Sequence, residues 1–224
     1  MSNDYFRFRE FTVRQSRCAM KVGTDGCLLG AWAVGGATVL DVGTGTGLIA
    51  LMMAQRYADA VVDAIDIEPE ACAQAVENVE ASPFAQRIRV SQADVRHWQG
   101  AYSAIVCNPP FFSDSLVSPD RQRSMARHTL TLSYRELAEC SHSLLSDDGR
   151  LSVIVPYDSR SRFESEAIIA GFFKSREWTV RTTINKPPRR CLLEFVKHSS
   201  NTERGEIVVG SQQHQELLRQ FLIT

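Results

Sequence analysis

Val39-Leu40-Asp41-Val42-Gly43-Thr44-Gly45-Thr46-Gly47 reads as a short apolar strand that runs into a glycine-rich turn. A helix follows over Leu48 to Tyr57, with Leu48, Leu51, Met52 and Ala54 on its apolar side. Glycines at alternate positions permit backbone angles that other residues avoid, and they let a ligand lie against bare backbone. The spacing is G-x-G-x-G, and Leu48 stands where a dinucleotide loop has its third glycine. That argues against a nicotinamide cofactor and for another adenosine-bearing ligand. A turn made tight for packing alone is the competing reading.

Outward from this stretch the chain alternates strand and helix. Further strands are predicted at Val61–Asp66, Ile88–Ser91, Ala104–Cys107, Leu151–Val155, Trp178–Ile184 and Cys191–Val196. Helices are predicted from Pro69 to Ala81, Tyr134 to Leu145, Ser159 to Lys174 and Gln212 to Phe221. Asp147-Asp148-Gly149 reads as a turn, and the short Asn185-Lys186-Pro187-Pro188 turn makes the last two strands antiparallel. Ahead of the glycine loop, Phe6-Arg7-Phe8-Arg9 and Phe11-Thr12-Val13-Arg14 alternate as a small hairpin would, and Thr24 or Asp25 is placed to cap a helix over Cys27–Ala33. Strands alternating with helices build a parallel sheet covered on both faces, with the ligand beyond the carboxyl ends of the strands.

The loops at those ends should therefore carry the chemistry. Asp66 lies 19 residues beyond Gly47, where a carboxylate can accept both ribose hydroxyl protons, with Glu68 as a neighbour able to substitute. Asp94 follows the third strand and can accept a hydrogen bond from an adenine amino group. Asn108-Pro109-Pro110-Phe111 follows the fourth. Its two prolines freeze the loop, so the Asn108 side-chain oxygen and the Pro109 carbonyl can face a single amino group. A planar exocyclic amine is a poor nucleophile because its lone pair is delocalised. Two fixed acceptors favour the pyramidal form that attacks. Phe111 can stack on a flat substrate.

The 224 residues carry a formal net charge of -1, unevenly spread. Residues 36–120 hold four arginines, no lysine and eleven carboxylates, a net of -7. Residues 1–23 carry five basic and two acidic side chains, and residues 174–197 seven and two, while Arg121, Arg123, Arg127 and Arg135 form a third basic cluster. Basic segments around an acidic domain point to a polyanionic partner, and arginines interleaved with aromatic rings near the N-terminus suit nucleic acid. The competing reading has those rings simply covering the core.

The longest apolar run, Leu28 to Leu40, is glycine-interrupted and too short to span a bilayer. Six cysteines without C-x-x-C spacing and a charged N-terminal stretch indicate a reduced, cytoplasmic protein. The five histidines lack metal-binding spacing, so no metal is expected.

Asp41 to Gly47 together with Asn108 to Phe111 resembles the class I S-adenosylmethionine-dependent methyltransferases that modify amino nitrogens. The bacterial tRNA1(Val) adenine-37 N6-methyltransferase family is a closer likeness still. It rests on Cys18-Ala19-Met20-Lys21-Val22-Gly23-Thr24-Asp25-Gly26, Leu28-Leu29-Gly30-Ala31-Trp32-Ala33, Glu77-Asn78 and Ser82-Pro83. Phe111 stands where many relatives have tyrosine. The resemblance implies a Rossmann-like fold whose seven-stranded, mostly parallel sheet has its last strand antiparallel. It also implies S-adenosyl-L-methionine as methyl donor, S-adenosyl-L-homocysteine as product and tRNA as partner. Asp41, Gly43, Gly45 and Gly47 would surround the methionine and ribose parts of the cofactor, with Gly23, Thr24 and Asp25 at its methionine end. Asp66 would hold the ribose and Asp94 the adenine. Asn108, Pro109 and Phe111 would hold the target base.

The organisation expected is a basic extension with a first helix over residues 1–35 and one compact methyltransferase unit over 36–224, monomeric or weakly dimeric. A methyltransferase acting on another RNA amine or a protein glutamine amide is the alternative enzyme. A non-catalytic RNA-binding module is the alternative of another class.

Overall fold

A computed structural model describes residues 4–18, 20–109 and 132–223. Ala19, Pro110, Phe111, Arg121, Arg123 and Arg127 lie outside the described residues.

The N-terminal alternation forms a hairpin, β1 (Tyr5–Arg7) against β2 (Thr12–Arg14), antiparallel with Phe6 opposite Val13. The main sheet contains β3 (Thr38–Val42), β4 (Val61–Asp66), β5 (Ile88–Gln92), β6 (Tyr102–Cys107), β7 (Leu145–Pro156), β8 (Phe173–Arg181), β9 (Arg190–Val196) and β10 (Glu203–Val208). Their spatial order is β10-β8-β9-β7-β6-β3-β4-β5. β9 runs antiparallel to β7 and β8, and the other pairings are parallel. The seven expected strands are all present, and β10 is an eighth that the sequence reading missed. Its segment, Glu203-Arg204-Gly205-Glu206-Ile207-Val208, has one fully buried apolar residue, Ile207, so no alternation announces it.

Among the described residues, six α-helices flank the sheet: α1 (Thr24–Trp32), α2 (Leu48–Arg56), α3 (Pro69–Glu80), α4 (Tyr134–Leu144), α5 (Arg160–Ile169) and α6 (Gln212–Leu218). Adjacent residues of the central strands serve opposite faces. Val39, Val62, Ala104 and Ile154 pack with α1 and α2, while Leu40, Ile65, Ile105 and Val153 pack on the side of Leu137 and Phe163. Burial on both faces is why these strands read as continuous apolar runs rather than alternating ones. α1 crosses α2 closely, since a Cβ on Gly30 would lie 2.7 Å from the Met52 sulfur.

Several boundaries differ from the sequence reading: β8 runs over Phe173–Arg181 rather than Trp178–Ile184, α1 starts at Thr24 rather than Cys27, and α6 ends at Leu218 rather than Phe221. The helix expected to reach Lys174 ends at Ile169, because Gly171 (φ +100°) turns the chain into β8. The expected turn at Asp147–Gly149 is a bulge inside β7, whose register jumps from Leu145 opposite Tyr102 to Arg150 opposite Ala104.

β3 has β4 on one side and β6 on the other, so the order of connection reverses there. That reversal opens a cleft beyond the carboxyl ends of β3 and β6.

Candidate active site

The glycine loop leaves β3 at this cleft. Gly43, Gly45 and Gly47 adopt φ of +69°, +56° and +80°, a region costly for residues with a Cβ. Among the described residues a Cβ at Gly43 or Gly45 would meet nothing within 4 Å, whereas a Cβ at Gly47 would lie 3.4 Å from that of Ala75 on α3. The amides of Gly43 and Thr44 both donate to the Ile65 carbonyl, at 2.9 and 3.0 Å.

Asp41 lies beneath the loop, fully buried. Its Oδ2 accepts from the Thr44 hydroxyl at 2.6 Å and the Ala50 amide at 3.1 Å. Its Oδ1 is buried and has no partner among the described residues. Burial pushes this carboxyl up to about 7, against the lowering effect of those two hydrogen bonds. Asp66 ends β4, with Oδ2 accepting from the Gly45 amide at 2.9 Å and Oδ1 from the Glu68 amide at 3.0 Å. It therefore ties the glycine loop to the β4–α3 turn.

Asp94 follows β5 as expected, but its carboxylate is already engaged. It accepts the Arg96 amide at 2.9 Å and the Nε and Nη2 donors of the Arg96 guanidinium, whose Nη1 reaches Glu136 at 3.3 Å. The Arg96 hydrogen bonds hold Asp94 below the usual carboxylate range. Gly23 is the residue preceding α1, and neither Thr24 nor Asp25 caps that helix. Asp25 instead accepts from Arg190 at 2.7 Å, joining α1 to the start of β9. A Cβ on Gly26 would lie 3.0 Å from Leu48, so the N-terminus of α1 stands beside the exit of the glycine loop.

Asn108 follows β6. Its Nδ2 donates weakly to the Met20 sulfur at 3.7 Å, while its Oδ1 is buried without a partner among the described residues. Pro109 beside it is buried.

Sequence reading missed what holds the cleft's wall. Asn78 on α3 is buried and accepts the Arg14 amide at 2.8 Å, and it donates to the carbonyls of Arg14 and Thr46, both at 2.8 Å. Gln74 accepts the Arg17 amide, and Gln15 accepts the Val22 amide. Asn78 and Gln74 fasten the segment after β2 to α3, and Met20 within it meets Asn108. Asn78 entered the sequence reading only within the Glu77-Asn78 pair of the family resemblance, with no role assigned, and the helical spacing of Gln74 and Asn78 is the further signal that could have paired them. The thiols of Cys18, Cys72 and Cys107 are all raised chiefly by burial, Cys18 to about 11, so none is a ready nucleophile. Among the described residues no cluster of three His, Cys, Asp or Glu could hold a metal, and no helix is long and apolar enough to cross a membrane.

Several cations of the described basic segments have partners within the chain. Phe8 and Phe11 are buried in the core, so the covering reading holds for these two rings, while Tyr5 and Phe6 remain exposed. Arg9 donates to the Leu222 carbonyl and Arg14 pairs with Glu77. In the acidic stretch, Arg56 and Arg87 donate to main-chain carbonyls near the ends of α1 and α2.

The cleft fits an adenosine-bearing methyl donor on its own observations. Among the described residues, a Cβ at Gly43 or Gly45 would meet nothing within 4 Å, and Asp41 Oδ1 and Asn108 Oδ1 are buried without a hydrogen-bond partner. This fold and site define an S-adenosylmethionine-dependent methyltransferase of class I. The chain matches the methyltransferase small domain family over residues 27–182. A predicted O-methyltransferase from Agrobacterium tumefaciens shares the fold, with a TM-score of 0.62 at 20% identity over 84% of this chain and 90% of that one.

Sequence relatives narrow the class. A tRNA1(Val) (adenine(37)-N6)-methyltransferase of Parabacteroides distasonis is 48% identical over 87% of this chain and 84% of its own length. That of Bacteroides fragilis is 41% identical over 100% and 99%. The chain belongs to this tRNA1(Val) (adenine(37)-N6)-methyltransferase family.

Proposed function

We propose that the chain transfers a methyl group from S-adenosylmethionine to the exocyclic N6 of adenine 37 in the anticodon loop of tRNA1(Val). The observation that carries this reading is the buried Oδ1 of Asn108 at the carboxyl end of β6, an acceptor without a donor among the described residues. When bound, the cofactor supplies an electrophilic methyl group on a sulfonium.

The chain's residues do the rest. Gly43 and Gly45 give the cofactor bare backbone to lie on. Asp66 accepts the ribose hydroxyls, Asp41 presents its spare oxygen to the methionine side, and Gly23 to Asp25 wall that end. Asp94 and its Arg96 partner border the adenine. Asn108 Oδ1 and the Pro109 carbonyl accept the two hydrogens of the target amine, which holds its lone pair out of conjugation and aimed at the methyl. Phe111, which closes the motif, supplies a stacking face. No strong base is needed, because the proton leaves only after nitrogen has become cationic. Extruding the base costs least from a single-stranded loop. Six unpaired cysteines and a tRNA substrate favour work in the cytoplasm.

The test is to incubate the protein with methyl-labelled cofactor and unmodified tRNA1(Val), digest the RNA and map the label. N6-methyladenosine at position 37 is the expected product. Label in a protein amide, or in no product at all, would overturn the reading.

A further inference from the structure

The β8–β9 turn has no part in the site just described, yet it stands on the same edge. β9 is antiparallel to its neighbours, so its first residue, Arg190, lies opposite Pro156 of β7 and Val180 of β8. Residues 182–189 therefore project from the edge where Asp66 and Asn108 end their strands. The cofactor side of that edge is β3, β4 and β5. The turn occupies the other half, beyond the amine-holding loop.

Charge separates this turn from the rest of its basic segment. Lys174 pairs with Glu164 and Glu177, Arg176 with the fully buried Glu194, Arg181 with Glu206 and Arg190 with Asp25, and Lys197 donates to the Leu145 carbonyl. Lys186 and Arg189 are exposed and make no ion pair among the described residues. Beside them the Arg160 guanidinium lies 3.7 Å over the half-buried Tyr157 ring, and the Tyr157 amide donates to the Arg189 carbonyl at 3.1 Å.

The turn is also held rigid. Lys186 donates its amide to Thr183, Arg181 donates to the Lys186 carbonyl at 2.7 Å, Arg189 donates its amide to Val180, and Pro187-Pro188 fix the backbone between. Cations presented by an ordered backbone lose little freedom on binding.

We propose that Lys186 and Arg189, with the adjoining Tyr157–Arg160 stack, form the surface that grips the RNA strand flanking the target adenine. This rests on the tRNA reading above and adds to it the place where the substrate backbone is held. Two unpaired cations suit phosphates, and an aromatic ring stacked with a guanidinium suits a neighbouring unpaired base.

The experiment compares wild type with the double variant Lys186→Glu/Arg189→Glu and the milder Lys186→Ala/Arg189→Ala. Filter binding measures affinity for unmodified tRNA between 50 and 200 mM salt, as commonly used to read phosphate contacts. Methyl transfer to the same tRNA and calorimetric cofactor affinity are measured in parallel. Both variants should bind tRNA about tenfold or more weakly, with a log–log salt slope shallower by about 1 to 2. Cofactor affinity, melting temperature and kcat at saturating tRNA should be unchanged.

Unchanged tRNA affinity and salt slope in both variants would overturn the proposal, as would equal loss of affinity for an acidic protein in place of RNA. If wild type binds tRNA without methylating it and the variants lose that binding, the surface stands and the methylation reading falls. If wild type does not bind tRNA, both fall.

Discussion

Asp41 is a carboxyl group with one oxygen satisfied and one left over, in a place water does not reach. Its folded value near 7 lies above the ordinary 3.8, so between those values the folded protein binds a proton that the unfolded chain does not. Its contribution to stability is therefore fully present below pH 4 and is lost as pH rises to about 7, at up to about 1.4 kcal/mol per unit. Asp41→Asn should flatten that part of the cofactor-free stability curve, as measured by chemical denaturation at a series of pH values. Asn108 carries the second left-over oxygen. Asn108→Ala should lower kcat by about 10²-fold or more, the scale of losing a positioned hydrogen-bonding group at a reacting centre, while calorimetric cofactor affinity stays near wild type. Asp66 separates from both because it already accepts two backbone amides. Asp66→Ala should weaken cofactor binding by about 1–3 kcal/mol through the lost ribose acceptor and a loosened Gly45. Unchanged affinity would remove Asp66 from the cofactor site.

At the scale of elements, the site is built by what crosses α3. The β1–β2 hairpin buries Phe8, Phe11 and Val13 in the same core as Met52 and Leu28, and the chain leaving it is stapled to α3 by Asn78 and Gln74. Asn78 also holds the Thr46 carbonyl, so one amide side chain sets the distance between the N-terminal segment and the glycine loop. Asn78→Ala strands the amide and carbonyl of Arg14 and the carbonyl of Thr46. It should cost about 1–3 kcal/mol of stability and weaken cofactor binding in the same variant. A loss of stability with cofactor affinity intact would separate the staple from the site. The capping expected of Thr24 and Asp25 failed for a similar reason. Local spacing suits a cap, but Arg190, 165 residues away in sequence, takes Asp25 instead. A charged partner from another element outcompetes a weak local bond.

At the scale of the whole molecule, most of the basic charge of residues 174–197 is paired within the chain. Arg176 lies 4.0 Å over the Trp32 ring and pairs with Glu194, which Arg150 and Ser175 also reach. Arg176→Ala should lower stability by about 3 kcal/mol, the lower end for breaking a buried pair because Arg150 remains, without changing the salt dependence of tRNA binding. A shallower salt slope in that variant would return Arg176 to the RNA surface.

The sheet, its order of alternation and the loops that carry Asp41, Asp66, Asp94 and Asn108 were legible in the amino-acid sequence. Strands buried on both faces leave continuous apolar runs, and a loop that needs positive φ leaves its glycines in place. The antiparallel β9 was legible too, from a turn too short for a crossover. Hidden were β10, the bulge in β7, the Arg96 clasp on Asp94 and the choice of which cations stay unpaired. Each of those depends on a partner distant in the chain, and sequence spacing carries no information about which carboxylate will arrive beside which guanidinium. The sequence by itself therefore determined the fold class and which residues end the strands at the cleft. Only tertiary packing decided that, among the described residues, Asn108 and Asp41 each keep an oxygen without a partner while Asp94 is clasped by Arg96.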